Sequence, residues 1–72
     1  MLEKLKEYIN NCYNWAKGHA ENWRDIENFR GQAYGALMFC INNDYVDYDE
    51  AVEYWETMWD KFHKLNDEIA KG

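Results

Sequence analysis

The chain has 72 residues, enough for one domain, and carries fourteen Asp and Glu against eight Lys and Arg, a net charge of −6. That balance argues against direct nucleic-acid binding, which draws its affinity from neutralised phosphates, and against adsorption to an anionic membrane. Thirteen residues are aromatic, four Trp, six Tyr and three Phe, more ring surface than three short helices need when each ring can bury roughly 150–250 Å².

The first helix is expected over about residues 2–17. Leu2, Leu5, Ile9, Cys12 and Ala16 recur at spacings of three and four and form one stripe. Tyr8, Tyr13 and Trp15 flank it, and Glu3, Glu7, Asn10, Asn11 and Asn14 face away. Gly18 after Lys17 reads as the stop, with a cation in the last turn.

The second helix is expected over about residues 20–42. Trp23, Ile26, Ala33, Leu37, Cys40 and Ile41 form its stripe, with Phe29 at the edge. The segment from Ala33 to Ile41 is apolar nearly all round, a pattern that predicts cover on more than one side and a central place for this helix. Gly31 and Gly35 lie four apart, away from the stripe, where each costs roughly 1 kcal/mol of helix propensity against Ala. Either they admit another backbone or a ring, or the helix simply tolerates them.

The third helix is expected over about residues 48–70, after a loop of Asn42 to Val46. Asp47 with Glu50 three positions later resembles a capping box. Tyr48, Val52, Trp55, Met58, Trp59, Phe62, Leu65 and Ile69 form its stripe. Helices of this length joined by short loops predict one all-α domain over residues 1–72, a small antiparallel three-helix bundle. Its core has room for about seven or eight rings. Tyr13, Trp15, Tyr45, Tyr54 and one of Trp55 and Trp59 are the marginal ones.

Chemistry-bearing patterns are few. In the antiparallel hairpin Cys12 and Cys40 stand about fourteen residues apart along the helix, or about 20 Å, beyond disulfide reach. Both read as buried free thiols, which suits a reducing, cytoplasmic compartment. No segment reads as a signal peptide or a membrane span. Val46, Asp47 and Glu50 fit the end of an EF-hand loop. That register would put Phe39 and Ile41 at the first ligand positions and Asp44 where glycine is required, so calcium is set aside. His19 and His63 are the only imidazoles. Without a paired His or Cys motif they specify no metal, and no cofactor or catalytic motif is expected. The chain reads as a non-enzyme.

Two surfaces stand out. Glu53, Glu56, Asp60 and Asp67 fall within roughly 60° of arc at about 100° per residue, opposite the third helix's stripe. They read as a partner-binding face for a basic protein surface, or else as a face that only keeps the chain soluble. Gly31, Gly35, Met38 and Phe39 occupy a second face of the second helix and read as an oligomer interface, making a homodimer the alternative. In character the chain resembles small acidic accessory proteins of phages and mobile elements, anti-CRISPR inhibitors included. That likeness rests on no defined motif and assigns no site residue. It implies a protein-binding inhibitor docking on a basic, nucleic-acid-handling protein.

Overall fold

A computed structural model describes residues 1–71, which form helices α1 (Leu2–His19), α2 (Trp23–Asn42) and α3 (Tyr48–Lys71). All three pairs of helices touch, and no strand occurs among the described residues. The chain runs up, down and up. Lys6 meets Tyr54 and Tyr13 meets Phe62, so α1 and α3 run parallel. Tyr34 meets Trp55, and Glu27 shares a recess with Asn66, so α2 runs against α3. The result is the expected all-α three-helix bundle, 40 Å long and 17 × 16 Å across.

The helix ends differ from the sequence reading in the first turn. Helix α1 continues through Gly18 and stops at Ala20, whose extended backbone (φ −71°, ψ 130°) breaks the run. Residue 20 is therefore not the start of α2. Asn22 caps that helix, its Oδ1 accepting from the backbone N–H of Arg24 at 2.9 Å and of Asp25 at 3.2 Å. Asp25 reaches back to the N–H of Glu21 at 2.9 Å, a variant of the reciprocal box.

The second turn follows from its hydrogen bonds. Tyr45 N–H donates to the Cys40 carbonyl at 2.9 Å, and Asp44 N–H to that of Ile41 at 3.1 Å. This pair is a Schellman motif, with Asp44 in the left-handed position usually held by glycine (φ 58°). The rings of Phe39 and Tyr45 pack 5.9 Å apart across it, the apolar contact the motif favours. Asp47 then accepts from the N–H of Glu50 at 3.3 Å, as expected of a cap.

The core is less aromatic than the composition suggests. Leu5, Ile9, Cys12 and Ala16 of α1 are buried, as are Ile26, Ala33, Leu37 and Cys40 of α2 and Ala51, Met58, Phe62 and Leu65 of α3. Phe62 is the one aromatic ring among them. The cause is dimensional. Helix axes pack about 8–10 Å apart, and the closest contacts take small side chains. Each helix supplies a fully buried alanine, Ala16, Ala33 or Ala51. Rings are displaced to the rims of the seams. Tyr13, Phe29, Tyr54 and Trp55 pack there half-buried. Trp23, Tyr48 and Trp59, placed in the core stripes by periodicity, are exposed. The apolar end of α2 is likewise not covered on several sides, because Tyr34, Gly35 and Phe39 face solvent.

Candidate functional site

The outer face of α3 carries the acidic row. Glu53, Glu56, Asp60 and Asp67 are all exposed. Asp49 shares their arc at about 100° per residue and is also exposed, so the row begins one turn earlier than expected. From Asp49 to Asp67 it runs about 27 Å at about 1.5 Å per residue. Among the described residues only Asp60 has a cationic partner, Lys64 Nζ at 3.3 Å. Both side chains of that pair are mostly in water, where such a contact is worth little.

A recess opens on each side of the row. Toward α1, Glu3, Glu50 and Glu53 gather with Leu2, Lys6, Tyr54 and Thr57 around a shallow space of about 590 Å³. Tyr54 anchors that side, its hydroxyl donating to the Lys6 carbonyl at 3.1 Å, and burial raises its pKa. The Lys6 ammonium lies 5.5 Å from the centre of the same ring. Toward α2, Arg30, Gly31, Tyr34, Trp55 and Trp59 border a recess of about 330 Å³. The Tyr34 and Trp55 rings lean together at 5.5 Å. Arg30 Nε donates to Glu27 Oε2 at 3.1 Å, so its charge is already met.

The second predicted face is the outer side of α2. Gly31, Gly35 and Phe39 are exposed and Met38 is half-buried. Phe39 is 59% accessible. A Cβ built on Gly31 or Gly35 meets no atom within 4 Å. Among the described residues nothing outside the helix's own backbone approaches these glycines, so no close contact within that part of the chain uses them. Only Gly31 borders the α2–α3 recess.

The remaining reactive groups are quiet. Cys12 and Cys40 are free and buried. Burial pushes the Cys12 thiol above its ordinary value of 9.0, and a hydrogen bond with Tyr8 offsets this only in part. The thiolate beside it, with burial, raises Tyr8 in turn. A protonated thiol is a poor nucleophile. His19 stacks on Trp15 at 4.1 Å and His63 on Trp59 at 5.1 Å. Among the described residues no three His, Cys, Asp or Glu side chains converge as a metal-binding group. No helix among them is long and apolar enough to cross a membrane.

Periodicity reveals the acidic row, because it lies on one helix. The recesses need two helices in register, and only the pairs Trp55/Trp59 and Gly31/Tyr34, each within one turn, hint at the aromatic one. No family model matches this chain, and neither does a curated protein or a solved structure.

Proposed function

We propose that this chain is a non-catalytic protein-binding module that docks the outer face of α3 on a basic protein surface. The reading goes further with an inhibitor of phage type, anti-CRISPR-like in action. It covers the basic surface by which a nucleic-acid-handling protein holds its substrate. The observation that carries it is the row of exposed carboxylates on α3, all but one without a cationic partner among the described residues. A row of one sign steers a positively charged partner and disfavours others. Two buried free thiols suit a reducing, cytoplasmic setting for such a complex.

The test is binding to a panel of basic nucleic-acid-binding proteins at rising salt. Affinity is expected to fall steeply with salt, and the triple variant Glu53→Lys, Glu56→Lys, Asp60→Lys is expected to lose it. Salt-insensitive binding, or full affinity in that variant, overturns the proposal.

A second reading rests on the outer face of α2, where Gly31 and Gly35 have open space and Phe39 is largely exposed. There two copies would meet as a homodimer, a helical structural module without catalysis. Light scattering over a concentration series decides it. A dimer that Gly35→Leu disrupts supports self-association, and a monomer at high micromolar concentration removes it.

A further inference from the structure

We propose that the seam between α2 and α3 receives one bulky apolar side chain from a basic peptide segment of the partner. This rests on the acidic-face reading above and sharpens it, because it places the centre of the contact beside the row rather than on it.

The seam is an assembled feature. Tyr34, Trp55 and Trp59 supply its rings and Gly31 its one position without a side chain. Tyr34 is 44% accessible and Trp59 43%, so both border solvent rather than core. The recess continues past Arg30 and Trp59 into a second of about 190 Å³, bordered also by Glu27, Phe62, His63 and Asn66. There Asn66 Oδ1 is buried without a hydrogen-bond partner. At about 330 Å³ the main recess falls at the small end of ligand pockets, which run from roughly 300 Å³ upward.

Charge selects the occupant. Glu56 and Asp60 do not border the recess, but both are exposed on the outer face of α3 within one turn of Trp59, so the acidic row runs alongside it. The cation in the recess, Arg30, is paired with Glu27. A segment with Lys or Arg around one large apolar residue would match both elements. This is the usual anatomy of an interface, with an aromatic centre that excludes water and a charged rim. The rim sets the approach, and the centre sets how long the complex lasts. Gly31 then has a use, since a side chain there would project into open space and occupy the recess without disturbing the fold.

The experiment titrates isotope-labelled protein with three synthetic peptides followed by NMR. The first is a short Lys/Arg-rich peptide with one central Leu, the second has Ala in its place, and the third keeps Leu but replaces every Lys and Arg with Glu. Expected are shifts at Gly31, Tyr34, Trp55 and Trp59 with the first peptide, and binding about tenfold weaker with the second, the loss of one buried Leu. The third is expected not to bind. Gly31→Leu is expected to block the recess and Trp59→Ala to remove its wall. Both should weaken the first peptide about as much as the Ala change does, at every salt concentration, with the helical circular dichroism unchanged. Equal binding of the Leu and Ala peptides, with shifts spread along the row to Asp67, overturns the recess and leaves the acidic face standing. Equal binding of the acidic peptide overturns the basic occupant. No salt-sensitive binding of either basic peptide overturns the docking reading itself.

Discussion

Replacing both exposed glycines of α2 by alanine should make this protein more stable. A glycine inside a helix costs about 0.8–1.0 kcal/mol against alanine, chiefly through the backbone entropy lost on folding. Gly31 and Gly35 are both interior to α2, and neither has a positive φ. A methyl group at either meets nothing within 4 Å, so no clash offsets the gain. The pair Gly31→Ala, Gly35→Ala should therefore add about 1.5–2 kcal/mol. For a domain of this size each kcal/mol moves the midpoint by about 4–8 °C, so a rise of roughly 6–16 °C is expected. Urea unfolding followed by circular dichroism measures it, with an unchanged slope showing that the folded and unfolded states expose the same surface. The single variants should each supply about half. No gain, or a loss, would refute the reasoning. It would mean that the backbone at these positions needs glycine's freedom, or that a contact closes on them in solution.

Three more expectations follow from the same geometry. Asp44→Gly should stabilise by about 0.5–1 kcal/mol, because a left-handed residue other than glycine costs about 1–2 kcal/mol and glycine's own entropy returns part of it; chemical denaturation reads the change, and a loss would show that the Asp44 side chain supports the turn. Phe62→Ala should cost about 3–5 kcal/mol, enough to unfold much of so small a domain, since this ring is the one wholly inside and Tyr13 packs edge-on against it at 5.5 Å; a well-dispersed NMR spectrum for that variant would place the centre of the core elsewhere. Stability should also decline in alkali. The folded state raises Cys12 above 9.0 and Tyr54 above 10.0, mainly by burial. It therefore holds protons that the unfolded chain releases. This stabilisation is whole below the ordinary value of each group and is lost as pH rises through the raised one. Thermal midpoints taken from pH 7 upward should begin to fall near pH 9, and Cys12→Ala should delay that onset.

How much of this was legible in the sequence depends on whether one helix or two decide a feature. The stripe Leu5, Ile9, Cys12, Ala16 is read directly from its spacing and is the buried face of α1. The acidic row of α3 is read the same way, short only of Asp49. The cap at Asn22 is present as Asn and Asp three apart, yet Gly18 suggests an earlier stop because glycine ends helices more often than it sits in their last turn. Trp23, Tyr48 and Trp59 lie near the edge of their stripes, where periodicity cannot separate a ring turned in from one turned out. That choice is made by the distance between helices. Ala51 shows the same limit from the other side, fully buried and unremarked because so small a residue adds little to any pattern.

The three buried alanines and the displaced rings are one fact seen twice. A bundle narrow enough to close over Ala16, Ala33 and Ala51 has no space for most of its aromatic residues. Eight of them, Tyr8, Trp15, Trp23, Tyr34, Phe39, Tyr45, Tyr48 and Trp59, stay exposed. Some serve the fold where they are. Phe39 and Tyr45 close the turn after α2, and Trp15 covers His19 at the end of α1. Tyr34 and Trp59 close no turn and fill no core. They stand on either side of a recess whose third border is a glycine that the helix would be more stable without. Acidic solubility alone requires none of these rings, and the fold requires neither glycine. The proposed partner contact at this seam would account for the rings and for Gly31, though not for Gly35, and it lies where the exposed carboxylates of α3 would guide a basic chain.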